Sequence, residues 1–355
     1  MGTTDPGAPA RTPKADGGPR TSPGRLLERT PAVGWLLRWA ISLGSLGLGL
    51  VILLVFRRGL PHVGWIVGYV LLLWLLFAVL TEVRAGLEER GRRLVVGAAE
   101  YTIQTLYHNL LLFVLPAYVV SATLTSVNAL FLLAVAVGAV LTAVDPWYRA
   151  LVGARPWVTP VLLGFSLFAA LNVALPLVGV RPIVALEGSA ALAALALAPA
   201  FRRRGRIPWA RAGVLAAVLA GIAVVAVWYG RALVPPAPLS LKRTVAARDV
   251  VNLEPVDEVR GAIPAATVQE WGGLVAFTAV YAPAGLRQAI EHVWWRNGEV
   301  IARIPLSPVQ GGRAEGFRTY SRRSDLRPPI AGRYTVDVIT ASGQLVGRLR
   351  FTVTP

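Results

Sequence analysis

The side chains able to do chemistry are few and widely spaced. His62, His108 and His292 are the only histidines, and there is no cysteine. Thiol nucleophiles, cysteine metal ligands and disulfides are thereby excluded, and histidines so far apart do not point to a metal site. The densest grouping lies near the C-terminus. On strands alternate residues share a face, so His292 and Trp294 point one way, and Arg318 and Tyr320 likewise share a direction. If their strands are neighbours, the four could line one ligand-binding patch. Such a patch suits a glycan or a peptide, because rings stack and a guanidinium holds a carboxylate by two parallel hydrogen bonds. The alternative puts the tryptophans in the core, with Arg318 stacked on them or closing a strand end. Alternation alone does not say which face is inward. Catalysis would need a nucleophile beside a base, or two carboxylates flanking a pocket. Ser321 sits in no Gly-x-Ser-x-Gly elbow, and Glu291 and Glu315 are lone acids near turns. The pattern therefore argues against an enzyme and implies no cofactor.

A second set of polar residues falls inside apolar runs, where ionisable groups are costly and often functional. Glu187 is the sharpest case, with Asn172 on the preceding run and Asn128 at the start of another. A proton or ion path would want more such groups. The plainer reading places Glu187 near the outer end of its helix, paired with Arg181. Tyr101, Gln104 and His108 fall at helical spacing beside Tyr107. They could line a small cavity at the inner membrane face, or form an interfacial belt or a seam between helices.

The elements that must position these groups follow from hydropathy. Of 355 residues, 55% are hydrophobic and 15% charged, with a mean hydropathy of +0.56. A soluble chain carries roughly a quarter of its residues charged, so much of this surface faces something other than water. A bilayer-spanning helix needs roughly 20 mostly apolar residues. Seven segments qualify, at residues 33–56, 62–80, 103–120, 127–144, 157–178, 183–201 and 209–229. Residues 1–32 read as a disordered, basic tail, residues 33–230 as the transmembrane domain, 231–238 as a stiff proline-rich linker, and 239–355 as a separate β-domain. The stretch 82–93 mixes acids and arginines and reads as a helix continuing into the cytoplasm with a self-paired surface.

The formal charge of +17 does not imply nucleic acid. The cations are nearly all arginines placed between apolar segments, and no base-stacking or groove-reading module is visible. Their placement orients the chain. With the N-terminus inside, the inner segments carry the arginines of the tail, Arg84, Arg90, Arg92 and Arg93, Arg149 and Arg155, and Arg202, Arg203, Arg204 and Arg206. The outer loops carry only Arg57, Arg58 and Arg181. Seven crossings then leave the β-domain outside.

After residue 238 apolar and polar residues alternate in short runs. Runs at 274–281, 289–295, 299–304, 332–340 and 344–353 read as strands, with tight turns at Asn297-Gly298 and Ser342-Gly343. About seven strands in roughly 115 residues suit an immunoglobulin-like sandwich. The expected architecture is therefore a membrane all-α bundle of about seven transmembrane helices plus a C-terminal all-β immunoglobulin-like sandwich.

Three stretches of the β-domain resemble a bacterial family known as domain of unknown function 2914. They are the His292–Gly298 run, Phe317-Arg318-Thr319-Tyr320-Ser321, and the hairpin from Gly332-Arg333-Tyr334 to Phe351 and Val353. Phe317 and Tyr334 stand where that family has Trp. The membrane half is similar to a companion family, domain of unknown function 5924. Neither resemblance brings an activity, a cofactor or catalytic residues. It implies a bacterial chain, hence a multi-pass protein of the inner (cytoplasmic) membrane, with its N-terminus cytoplasmic and its β-domain periplasmic. The expected partners are the lipid bilayer and an envelope protein or glycan held by the β-domain. The alternative is a small-molecule or ion transporter, or an intramembrane enzyme, with an accessory β-domain.

Overall fold

The structure is a computed structural model that describes residues 63–202, 207–259 and 261–355, together with Gly2. The expected first crossing, residues 33–56, lies outside the described residues. Among these, five helices are long and apolar enough to cross a membrane, or six if one bent pair counts as a single span. They are α1 (Val63–Glu89), α2 (Arg93–Ser121), the bent pair α3 (Ala129–Ala143) and α4 (Asp145–Ala154), α5 (Val158–Leu177), α6 (Pro182–Leu195) running on into α7 (Ala198–Arg202), and α8 (Trp209–Tyr229).

Two of these differ from the hydropathy reading. α2 starts ten residues before the expected 103, because Arg93 and Glu100 lower the local hydropathy without opposing a helix. The fourth segment is helical over Ala129–Ala143 as expected, but a 98° turn at its end leads into a further helix, α4, that the hydropathy reading did not contain. Val144 is extended there (φ −93, ψ 94), and Pro146 in the first turn of α4 has no N–H to continue the ladder of α3.

Small residues let the helices approach. Ala212, Ala216 and Ala220, one per turn of α8, are buried against α6, whose Ala185, Ala190, Ala193 and Ala194 are buried too. The opposite face of α8 presents Val214, Val218, Ile222 and Val225 to the outside, as a lipid-facing surface requires. Near residues 82–100, Arg84 bonds Glu88 on its own helix and Glu100 on α2, both at 2.8 Å, so the expected self-pairing is present.

The C-terminal part is two sheets sharing one core. One sheet runs β2 (Glu254–Val259), β1 (Ser240–Val251), β4 (Leu274–Tyr281), β9 (Phe317–Arg323). The other runs β3 (Ala262–Pro264), β11 (Leu345–Thr354), β10 (Gly332–Thr340), β6 (Ile290–Arg296), β7 (Glu299–Pro305). A short helix α9 (Ala265–Glu270) follows β3, and β5 (Arg287–Gln288) pairs with β8 (Val309–Gln310). Ala246 and Ala276 of the first sheet meet Trp294, Val336 and Phe351 of the second. The Asn297-Gly298 turn has positive φ at both residues (52° and 92°), which is why that dipeptide suits the hairpin.

The proline-rich stretch, expected as a stiff linker, is packed between the bundle and the β-domain. Residues from Val234 to Leu239 are buried, with Ala237 in the core of the bundle and Leu239 in that of the β-domain. Prolines suit a buried junction because they have no N–H to satisfy. Polar contacts continue the docking. Arg231 Nε donates to Ser342 O (2.6 Å), Gln344 Nε2 to Val234 O (3.2 Å) and Asn128 Nδ2 to Leu345 O (3.3 Å). Arg348 donates to both oxygens of the buried Asp337 (2.5 and 2.8 Å) and reaches Thr125 O at 3.4 Å. Replacing Asp337 by Ala strands that guanidinium and is expected to cost about 2 kcal/mol, seen as a lower melting temperature of the β-domain.

Candidate functional site

The four residues expected to form one patch are divided between two faces. In β9, Thr319 and Ser321 are buried whereas Arg318 and Tyr320 face outward. In β6, His292 and Trp294 are both 0% exposed. Alternation therefore puts His292 and Trp294 in the core and Arg318 and Tyr320 on the outer face of the four-stranded sheet. The single patch is not formed.

What His292 and Trp294 form is a hydrogen-bonded bridge between the sheets. His292 Nε2 lies 3.0 Å from Thr278 Oγ1 of β4, and Nδ1 lies 2.8 Å from Ser321 Oγ of β9. Trp294 Nε1 donates to the same Ser321 Oγ (2.9 Å). One neutral tautomer satisfies both ring nitrogens, the indole and Ser321: Ser321 accepts from Trp294 and donates to Nδ1, while Nε2–H donates to Thr278. Burial pushes the imidazole down to about 4, which keeps it neutral. A serine against an imidazole is the geometry of a nucleophile and its base. Here both are enclosed and the hydroxyl is committed to Trp294, so the arrangement ties the sheets together.

Within the helices the polar residues separate in the same way. Asn172 Nδ2 donates to Tyr118 Oη (3.2 Å), which donates to Ala169 O (2.8 Å), so this pair seams α2 to α5. His108 is buried with Nδ1 3.0 Å from Ala139 O of α3. Glu187 is partly buried on α6, and the expected pairing with Arg181 is not formed; Arg181 is exposed at the N-cap of that helix.

Tyr101 and Gln104 lead to a cleft of about 930 Å³ between α1, α2, α4 and α5. Arg84 and Arg149 line it, and its α1 and α2 residues come from the C-terminal part of α1 and the N-terminal part of α2, the end of α2 away from the β-domain. Phe77, Leu80, Ile103 and Val152 supply an apolar wall. Gln104, one of its lining residues, donates from Nε2 to Asp145 Oδ1 (2.6 Å) and to Thr142 O (2.9 Å). Asp145 is 6% exposed and opens α4, where the helix dipole favours a carboxylate. Arg149 stands 3.9 Å from it. The mouth carries Arg84 between Glu88 and Glu100, and Glu82 is 3.7 Å from Arg202. The helical spacing of Tyr101 and Gln104 signalled the cleft, but Asp145 and Arg149 come from the far side of the 98° turn and had no local signal.

A bundle of apolar, membrane-length helices packed under a two-sheet β-domain defines the class as a multi-span membrane protein with a docked β-rich domain. The chain belongs to the family of unknown function DUF5924, whose profile matches residues 25–275. Residues 287–353 match a second family, Protein of unknown function DUF2914. The first match runs past α8 through β1, β2 and β3 to the start of β4, so the β-domain is built from both. No curated protein matches the chain.

Proposed function

We propose that this is a multi-pass protein of the bacterial cytoplasmic membrane that holds an amphipathic, zwitterionic molecule in the cleft at the cytoplasmic end of its bundle. In this reading the chain crosses seven times, with residues 33–56 as the first crossing and residues 1–32 inside. The β-domain is an immunoglobulin-like sandwich in the periplasm. The orientation draws support from the arginines, which gather at the helix ends around the cleft and away from the β-domain.

The observation that carries the binding role is the cleft itself, an apolar wall beneath a mouth of both charges. Carboxylates at the mouth suit an amine, Arg84 and Arg149 suit a phosphate or carboxylate, and the wall suits an acyl or ring system. Gly153 lines the cleft, and a Cβ there would meet no atom within 4 Å. Native mass spectrometry of the purified full chain is expected to show a bound amphiphile. Gly153→Trp, which fills the space, and Arg84→Gln are expected to lose about nine-tenths of it. A wild-type chain with no adduct, or variants that keep it, would end this reading.

A second reading rests on Tyr320, 43% exposed beside Arg318 on the outer sheet face. There the β-domain would bind an envelope protein or glycan, and the paired change Arg318→Ala, Tyr320→Ala would abolish retention on cell-wall sacculi or envelope proteins.

A further inference from the structure

The hairpin of β1 and β2 folds back over the outer face of its own sheet. Asp249 pairs with Arg322 (3.3 Å), and Arg322 stands opposite Val275. Val250 then packs on Val245, Phe277 and Ala279. Glu254 meets Arg318 (2.5 Å) and Arg243 (3.3 Å), and both arginines stand opposite Ala279. From Asp249 to Glu254 the chain therefore travels from the level of Val275 to that of Ala279. β4 ends two residues later at Tyr281, opposite Ser240, where the chain arrives from the bundle. The tip of the hairpin is thus aimed at the membrane end of the domain.

That tip is apolar and exposed. Val251, Leu253 and Val256 are 55%, 46% and 39% exposed. Asn252 and Leu253 make the turn with φ of 53° and 59°. Left-handed backbone is disfavoured for a leucine by about 1 kcal/mol, so an exposed side chain is held there against the local preference. Beside it, Lys242, Arg243 and Arg348 line a crevice of about 260 Å³ with Val120 and Thr123 at the outer end of α2. The Lys242 ammonium lies 5.1 Å from the Tyr281 ring. Arg243 is held by Glu254 and Glu258 and Arg348 by Asp337, which leaves Lys242 as the cation at the outer end of α2; exposed apolar side chains near an ammonium match the boundary between acyl chains and phosphates.

We infer that the β1–β2 tip sits in the outer leaflet beside the bundle, Val251 and Leu253 among the acyl chains and Lys242 at the phosphates. This rests on the membrane reading of the helices, and the test separates the two. The chain has no cysteine, so single cysteines can carry an environment-sensitive fluorophore in the full protein. Leu253→Cys and Val251→Cys report the tip. Leu130→Cys reports the lipid face of α3, where Leu130 is 59% exposed, and Glu299→Cys reports the turn at the far end of the domain. In nanodiscs containing nitroxide-labelled phosphatidylcholine, quenching at Leu253 and Val251 is expected to exceed that at Glu299 by about threefold. Quenching at Leu130 with none beyond the Glu299 level at either tip position overturns the inference alone. Absence of quenching at Leu130 as well overturns the membrane reading and the inference with it.

Discussion

Acidification from pH 7 to pH 4 is expected to destabilise the β-domain by about 3 kcal/mol through His292 alone. Its imidazole is fully enclosed between the sheets, and burial pushes it from 6.5 down to about 4. The unfolded chain takes a proton at this residue below about pH 6.5, and the folded domain only near pH 4. Between those values unfolding absorbs a proton, so acid favours it; above pH 6.5 the ring is neutral in both states and no penalty applies. A protonated ring would donate from both nitrogens, and Ser321 would then face two donors, from Trp294 and from Nδ1. The control is His292→Gln, whose amide keeps a donor and an acceptor but does not titrate. Denaturant titrations of the full protein, with the β-domain followed by proteolysis, should show wild type weakening more steeply than the variant across pH 6.5 to 4. Parallel pH profiles would remove His292 as the cause. The half-exposed surface carboxylates, shared by both proteins, cancel in the difference.

Trp294→Ala is expected to cost more, about 3–5 kcal/mol. The indole is 0% exposed and meets Phe351 edge-on at 6.3 Å, and Phe351 stacks on Tyr334 at 5.3 Å. Truncation opens a cavity at the centre of the shared core and leaves Ser321 without its indole donor. Domains of this size hold about 5–15 kcal/mol in all, so the variant should unfold at markedly lower denaturant while the helical circular dichroism of the bundle persists. Trp294→Phe keeps a ring and loses only the N–H and part of the volume, so it should fall between. A midpoint for Trp294→Ala within about 1 kcal/mol of wild type would contradict the packing account.

Both predictions concern residues for which strand parity had left two readings open, a ligand-binding patch or the core. The parity was correct: His292 and Trp294 share a face, as do Arg318 and Tyr320. Which face turns inward was not legible, because that depends on where the partner sheet lies. The hairpin at Asn297-Gly298 was legible because its turn is a backbone property of two residues. The β1–β2 hairpin was not, since Asn252-Leu253 carries no glycine and its fold-back depends on Arg243, Arg318 and Arg322 from other parts of the sheet. Tyr101 and Gln104 announced a polar face on α2, but the opposite wall of the cleft comes from Tyr148, Arg149 and Val152, beyond the bend after Ala143.

The two family matches sharpen the same point. The four-stranded sheet takes β1, β2 and the start of β4 from the first matched region and β9 from the second. Cutting at residue 287 would leave β9 without β4, so a boundary drawn on sequence similarity divides one core.

Read from residues alone, the chain already declares apolar helices of membrane length, a strand-rich end and its tight turns, because these depend on hydropathy and backbone preference over spans of two to twenty-odd residues. Only the assembled structure decides that the proline stretch is a buried junction, that the imidazole is a neutral strut between sheets, and that a cleft opens at the arginine-rich end. Those features are made by groups far apart in sequence, and their burial and partners exist only once the helices and sheets have packed.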